Sequence, residues 1–307
     1  MLILLVVMEL ARICANKRPA ATMIFAATAG EEQNLYGSTF LAQTLKNASA
    51  NVEANFNNDI VGTGHYDPFY PINNYTIRLF GAGIYPTLES DATVLFRVGI
   101  GGENDTPARA LGRYVAEIAA GAQDAAHMQV ALVYRADRFL RGGDHESFLE
   151  AGFPAVRFTE PNENFAHQHQ DPRIQDGVVY GDNIEFVDFN FVARVAQVNL
   201  ASMWAIANAP RMPRNVTINT AVGEPALNRT AVISTDTQLE WNVSNEVGLG
   251  GYEIVWRPTT APQWTHSVPV GNVNTVTLKL TKDNVIFGVR AVGTNGKKSP
   301  AVFPFAI

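Results

Sequence analysis

Two adjacent carboxylates, Glu31-Glu32, follow a continuous apolar run, Ala21-Thr-Met-Ile-Phe-Ala-Ala-Thr28, whose length suits a buried strand. On a bend, neighbouring carboxylates point in different directions, so one can bind a metal while the other accepts a proton from metal-bound water. The end of a strand in an open α/β sheet is also where ligand crevices form. Taken alone, a Glu-Glu pair equally marks a solvated helix start. Asp59 closes a second run, Asn57-Asn58-Asp59-Ile60-Val61-Gly62, where an acidic residue among apolar neighbours is either a ligand or an Asx-turn. His167-Gln-His169-Gln-Asp171 adds two imidazoles, with Asp171 available to orient a ring through a hydrogen bond. An isolated His-x-His is a weak signal, and it gains weight from Glu32 and Asp59 at strand ends. The lone Cys14 permits neither a disulfide nor a thiolate site, so a metal here must be held by carboxylate and imidazole.

The elements that must position these groups alternate. A strand over 21–28 leads through Gly30 into a helix from about Ser38 to Leu45. Further strands are expected at 51–59, 130–134 and 154–158, with helices near 106–120, 145–151 and 190–207. Alternation of this kind predicts an α/β fold, a mostly parallel mixed sheet covered by helices on both faces. Residues 63–105, rich in Gly, Pro, Asn and Tyr, read as a long functional or covering insertion. The apolar start, Met1 to Met8, has no basic residue before it and no small-residue cleavage pattern. It runs into Glu9-Leu-Ala-Arg-Ile13 with helical spacing, so it reads as a buried helix in preference to a leader.

Pro210-Arg-Met-Pro213 is a linker, and the pattern then changes to short alternating strands at 216–218, 237–241, 251–256, 275–278 and 285–292. The expected division is therefore 1–209, an α/β domain, and 210–307, a small all-β sandwich. Leu239-x-Trp241, Gly251-Tyr252-x-Ile254 and Phe287-x-Val289-x-Ala291 resemble a fibronectin type III module. Such a module is expected to make protein or glycan contacts and to bring no catalytic residues.

Bulk properties narrow the class. With 47% hydrophobic and 17% charged residues the chain has the composition of a folded globular protein. A formal charge of −6 without a Lys/Arg cluster excludes a nucleic-acid groove. Serine or cysteine hydrolysis is disfavoured too, for there is no Gly-x-Ser-x-Gly elbow and Cys14 lies in a helix remote in sequence from the histidines. Asn-x-Ser/Thr sequons at Asn47, Asn74, Asn104, Asn215, Asn228 and Asn242 permit glycosylation in a secretory host.

Ala29-Gly-Glu-Glu-Gln-Asn-Leu-Tyr-Gly-Ser38, Asn58-Asp-Ile-Val-Gly62, Gly142-Gly-Asp-His-Glu-Ser-Phe-Leu-Glu-Ala-Gly-Phe-Pro-Ala155 and His167-x3-Asp171 resemble, in order and spacing, the motifs of the co-catalytic zinc aminopeptidase family, which includes glutamate carboxypeptidases. The resemblance spans residues 1 to about 208 and implies a zinc exopeptidase-like fold. It implies Glu31 as general base, Glu32 and His167 as ligands to one zinc ion and Asp59 as ligand to a second. His167 is preferred to His169 because the family keeps its histidine four residues before an acidic residue. Asp144 and His145 belong to a supporting motif and are not counted as ligands. The implied substrate is a peptide or N-acyl amino acid with a free terminus, and the implied location is secreted or periplasmic.

The resemblance also implies two ligands upstream of the first helix, a His and a bridging Asp, so the chain reads as N-terminally truncated. His65-Tyr66-Asp67 has the right local form in the wrong order, and a surface loop is its alternative. A second class, an inactive binding protein on a degenerate peptidase domain, should have drifted at Glu31, Glu32, Asp59 and His167 as well, and none has. Two protein ligands for one metal and one for the other fall short of the usual three. The purified 307-residue chain is therefore expected to bind zinc weakly, to hydrolyse aminoacyl substrates poorly and to be sparingly soluble. Stoichiometric tight zinc with normal turnover in a monomeric preparation would refute this.

Overall fold

The structure, a computed structural model, describes residues 2–63, 73–85, 91–219 and 235–306. It opens with α1 (Leu2–Cys14) and, after an extended stretch, α2 (Tyr36–Asn47), β1 (Asn55–Asn58) and β2 (Thr76–Gly81). Next come α3 (Asp91–Gly99), α4 (Pro107–Gly121), the short α5 (Gln123–Ala126), β3 (Gln129–Val133), α6 (His145–Ala151) and β4 (Ala155–Thr159). A small hairpin of β5 (Arg173–Gln175) and β6 (Val178–Tyr180) precedes the long α7 (Phe189–Ala207). The sheet runs β1-β4-β2-β3, with β1 parallel to β4, β2 parallel to β3 and β2 antiparallel to β4, which is the mixed sheet flanked by helices that the alternation predicted.

Its core is made where one face of the sheet meets α4 and α7. Ile77, Leu79, Val156 and Phe158 pack with Leu111, Val115, Phe191, Val195 and Val198, all buried, and Phe56 meets Phe158 edge-on with ring centroids 5.9 Å apart. The start of α4 follows from chemistry in the sequence: Thr106 caps it, accepting from the Arg109 N–H, and Pro107 sits where its missing N–H costs nothing. Asp188 caps α7 by accepting from the N–H groups of Asn190 and Phe191.

Three expectations are corrected. Residues 22–28 form no regular element and pair with no strand among the described residues, leaving β1 at the sheet edge. An apolar run signals extension, whereas a strand also needs a neighbour. Residues 63–105 are not simply a covering insertion, because Thr76–Gly81 is an interior strand with Ile77, Leu79 and Phe80 buried; its six residues were hidden among turn formers. The first helix buries only the Val6, Leu10 and Cys14 stripe, with Val6 and Leu10 set against Val192 of α7, while Leu4, Leu5 and Met8 are exposed. His65-Tyr66-Asp67 lies outside the described residues.

From β7 (Thr217–Ile218) onward the elements among the described residues are all strands: β8 (Thr237–Glu240), β9 (Leu249–Pro258), β10 (His266–Gly271), β11 (Thr275–Leu278), β12 (Val285–Gly293) and β13 (Phe305–Ala306). They form two sheets, β10-β9-β12 and β11-β8-β7-β13. Their common core holds Leu239, Trp241, Tyr252, Ile254, Phe287 and Val289. No helix among the described residues is long and apolar enough to cross a membrane.

These strands are joined to α4 by buried charge. Arg257 of β9 donates two hydrogen bonds to Asp105, at 2.7 and 2.9 Å, and Arg113 of α4 approaches the same carboxylate at 3.2 Å. Arg290 of β12 bridges Glu253 at 2.5 Å and Glu117 of α4 at 2.8 Å. Removing one member of a buried ion cluster leaves uncompensated charge. Asp105→Ala, which strands two guanidinium groups, should therefore lower the unfolding free energy by about 3–5 kcal/mol in urea titrations. A loss under about 1 kcal/mol would mean that solvent already screens the cluster.

Candidate active site

The candidate residues come from the end of the 21–28 run, the end of β1 and the loops after β3 and β4. Glu31 lies in the turn entering α2, which is tight: Gly30 has φ +73°, Asn34 +74° and Leu35 +60°. The turn is closed by Leu35 N–H to the Glu31 carbonyl at 3.0 Å and Tyr36 N–H to the Gly30 carbonyl at 3.0 Å. A Cβ on Gly37 would stand 2.4 Å from the Ala29 carbonyl, so α2 can approach this turn only with glycine there. Just ahead of the turn, the Thr28 hydroxyl donates to Asp144 Oδ2 at 2.6 Å, tying it to the start of α6.

Asp59 is placed by β1 from below and β4 from the side. Its N–H bonds the Phe158 carbonyl at 3.1 Å, and the preceding Asn58 exchanges two 3.0 Å hydrogen bonds with Asn199 of α7. Its carboxylate meets Arg157 Nη2 at 2.8 Å. Arg157 has no accessible surface. It also reaches Asp137 Oδ2 at 2.5 Å, Thr159 Oγ1 at 3.0 Å and the Gly142 carbonyl. Gly143 lets this packing close, since a Cβ there would stand 2.8 Å from Arg157 Nη1 and 3.2 Å from Asp59 Oδ2. From Asp137 the pairing continues through Arg138 at 2.9 Å to Glu163 at 3.0 Å, which Arg78 and Arg141 also approach at 2.8 and 3.1 Å.

Glu31, Asp59 and Asp144 line one cleft. Burial, followed by the charges of Asp59, Glu32 and Asp144, pushes the Glu31 carboxyl above its ordinary range against the pull of Arg157. Burial likewise raises Asp59, and the arginines offset only part of that. A carboxyl raised by burial and by neighbouring carboxylates, as at Glu31, is one that a cation would relieve. Backbone strain gathers here too: Ile60, a β-branched residue, has φ +56°, Leu140 +56° and His169 +54°.

The two histidines take different places. His169 Nδ1 lies 3.3 Å from Glu32 Oε1, both groups largely exposed. His167 stacks on Phe186, ring centroids 3.6 Å apart, with Asn164 Nδ2 at 3.2 Å from its Nδ1. Asp171 is exposed, and its carbonyl accepts from Arg173.

A second cluster, Asp137, His145 and Glu146, has ligand atoms within 4.8 Å of one another. It suits a cation poorly. Asp137 is already neutralised by Arg157 and Arg138, which hold its carboxyl low against the cost of burial. The His145 Nε2 donates to the Ala136 carbonyl at 2.8 Å, so the lone pair of the neutral ring is on Nδ1, which is buried and has no hydrogen-bond partner among the described residues. Burial holds this imidazole down to about 4, hence neutral at pH 7. The cluster is the backing of Arg157, consistent with a supporting motif.

Arg157, Asp137, Arg138, Glu163 and Glu160 were not anticipated. The available signal was an arginine inside Pro154-Ala-Val-Arg-Phe158, an otherwise apolar strand in which a charge demands buried partners.

The fold is an α/β scaffold in which Asp59 follows β1 and the other candidate carboxylates and imidazoles lie on turns and loops. The chain belongs to peptidase family M28, whose sequence profile matches residues 3–174. A probable zinc metalloprotease of Pyrenophora teres f. teres is 56% identical over 306 residues, covering 98% of this chain and 60% of its own length. One from Pyricularia oryzae is 55% identical over 308 residues, covering 97% and 58%. The chain thus spans about three fifths of the length of these curated relatives. The LapA aminopeptidase of Legionella pneumophila shows a distant structural likeness, 18% identical with TM-score 0.39, over 66% of this chain and 44% of that one.

Glu160 supplies a pH test. It is buried at the end of β4 and accepts from the Thr63 N–H at 2.9 Å, while its own N–H bonds the Ile60 carbonyl at 2.8 Å. Burial pushes its carboxyl from 4.5 up to about 8. The folded chain therefore holds this proton where the unfolded chain has lost it, and stability falls as pH rises from about 4.5 to about 8. Glu160→Gln should remain as stable as the parent near pH 5 and become the more stable of the two above about pH 8. Urea midpoints across that range measure it, and a constant gap between the two proteins would contradict the burial of an ionisable carboxyl.

Proposed function

We propose that this chain carries the general base and part of the ligand set of a two-zinc metallo-exopeptidase acting on peptides or N-acyl amino acids with a free terminus. The observation that carries this reading is that Glu31, Asp59 at the end of β1 and Asp144 line one cleft, with Glu31 half-buried and its carboxyl raised, inside the span matched by family M28. In this reading Glu32 and His167 hold one zinc ion and Asp59 the other. The donor set fits, being made of carboxylate and imidazole alone. Zinc in such a site supplies Lewis acidity and lowers the pKa of bound water towards about 7.

Glu31 takes the proton of the attacking water and delivers it to the leaving amine nitrogen. A raised carboxyl is the better suited to this exchange, since an effective acid–base group has its pKa near the working pH. Arg157 fixes one oxygen of Asp59 and leaves the other to the metal. Two protein ligands for one ion and one for the other fall short of the three usual for a catalytic zinc, so this reading calls for further ligands. The names of the Pyrenophora and Pyricularia relatives, probable zinc metalloproteases, agree with the reading. We also propose the division at 209/210, with the β-sandwich a non-catalytic module seated on α4.

The test uses the longer natural gene product, loaded with zinc and assayed on aminoacyl p-nitroanilides. Glu31→Gln should lower kcat by about 10²- to 10⁴-fold with zinc content unchanged. Glu32→Gln, Asp59→Asn and His167→Ala should each lose zinc, while His169→Ala should retain it. An unchanged kcat in Glu31→Gln would sink the assignment, and zinc lost only with His169→Ala would move the ligand to that residue.

A further inference from the structure

The Asn-x-Ser/Thr sequons take no part in the zinc reading, and the fold separates them by how it has already used each side chain. Asn74 and Asn104 are engaged. Asn74 Nδ2, the atom that would carry a sugar, donates to Asp188 Oδ2 at 2.7 Å, while its Oδ1 is buried and its carbonyl accepts from Arg194 at 2.9 Å. Asp188 caps α7, so this side chain is lodged where that helix starts. Asn104 Oδ1 accepts from Arg109, and its carbonyl accepts from Arg113 at 2.6 Å. The next residue, Asp105, is the buried acid that joins α4 to the sandwich, and the hydroxyl of this sequon, on buried Thr106, donates to the Ala82 carbonyl at 2.6 Å. A sugar at either asparagine would have to stand in a packed corner. Asn228 lies outside the described residues.

Asn47, Asn215 and Asn242 are exposed, and their side chains make no hydrogen bond among the described residues. Each sits where an element begins or ends. Asn47 is the last residue of α2, Asn242 lies just past β8, and Asn215 precedes β7 with φ +50°, a conformation that asparagine tolerates better than most residues. Asn215 and Asn242 stand together, because the β7–β8 ladder pairs Thr217 with Glu240 and the Asn242 N–H bonds the Arg214 carbonyl at 3.0 Å. Their neighbours Val216 and Trp241 turn into the sandwich core, which leaves the asparagines facing outward. Uncovered apolar surface lies beside both places. Val243 and Val247, which follow Asn242, are 67% and 100% exposed. On α2, Tyr36 and Phe40 are 69% and 75% exposed and share a helix face with Asn47, Phe40 lying about 10 Å from it along the axis.

We infer that Asn47, Asn215 and Asn242 are N-glycosylation sites, occupied when the chain passes through a secretory pathway, and that Asn74 and Asn104 stay bare. The donor is an oligosaccharide carried on a lipid diphosphate. A bond forms between the asparagine Nδ2 and the anomeric carbon of the first sugar, and Nδ2 gives up one proton. The bond from that carbon to the diphosphate oxygen breaks, and its electron pair leaves with the lipid diphosphate. Transfer reaches the chain before it folds, so a sugar at Asn74 or Asn104 keeps its corner from closing and removes that molecule from the folded pool. At the other three positions the sugars cover the exposed face of α2 and the Val243 and Val247 end of the sandwich. None of the three lines the cleft of Glu31, Asp59 and Asp144, which stays open.

The protein, secreted from a yeast behind a cleaved leader and purified as a monomer, tests this without reference to zinc or turnover, so the outcome is separate from that of the functional reading. Releasing the sugars with a peptide N-glycosidase in heavy-oxygen water leaves a labelled aspartate at each occupied position, which peptide mass spectrometry reads. Label at Asn47, Asn215 and Asn242 in most molecules, with none at Asn74 or Asn104, is the expected result. A bare asparagine at any of the first three, or label at Asn74 or Asn104 in the monomer, would overturn the inference. Asn47→Gln and Asn242→Gln should each remove the mass of one glycan on a gel, and Asn74→Gln should remove none. Should Asn74→Gln fail to fold, the peptide map of the unmutated protein decides alone.

Discussion

A guanidinium without accessible surface, Arg157, stands in β4, an interior strand, and the geometry around Asp59 depends on how its charge is met. An unpaired charge there would cost more than the domain's net stability can bear. It is met by Asp59 on one side and Asp137 on the other, with the Gly142 carbonyl and Thr159 completing its donors. Three pieces of chain distant in sequence are thereby fixed to one group: the end of β1, the loop after β3 and β4 itself. Gly143 follows from the same constraint, because any side chain there would occupy the space of the pair. The outer arginines then hold Glu163, and with it the start of the loop that carries His167 and His169.

Two acidic clusters share this arginine, and their different charge balance separates their roles. At Asp137 two guanidinium groups outweigh burial, so the carboxyl is held low and the neighbouring imidazole is neutral. At Asp59 a single direct guanidinium does not outweigh burial and the nearby acids, and the carboxyl is held high. The first cluster has its countercharge built in. The second, with Glu31 beside it, has a deficit of positive charge opening onto a cleft, which is the electrostatic condition for binding a cation and for poising a base.

Most of the scaffold was legible in the sequence because it rests on local signals. The helices at 107–121, 145–151 and 189–207 follow from caps and apolar spacing, and β3 and β4 from short apolar runs. The unpaired state of 21–28 was illegible, since pairing depends on partners elsewhere in the chain and not on the run itself. Strand β2 was missed because Thr76–Gly81 is brief, includes Arg78 and sits among turn-forming residues. At the site, Glu31, Glu32, Asp59 and His167 could be named from motif order, but nothing local gives orientation. Only in three dimensions does His169 approach Glu32 while His167 lies on Phe186. Arg157 was readable in principle as the one charge in an apolar strand.

The C-terminal strands are tied to the α/β part through buried charge at α4. Arg290 and Arg257 are buried, and each is committed to an acid at α4, Glu117 or Asp105. The Arg113 Nε–H and the Tyr134 hydroxyl donate to the same Pro262 carbonyl at 2.8 and 2.9 Å, adding neutral ties beside the charged ones. Sliding the sandwich over α4 would expose or unpair several of these groups together, and charged hydrogen bonds lose their value over a short displacement. Helix α4 in turn supplies Leu111 and Val115 to the core beneath β2 and β4. The strand that holds Arg157 is thus packed on a helix pinned from its far side, so the sandwich restricts the movements by which Arg157 could release Asp59.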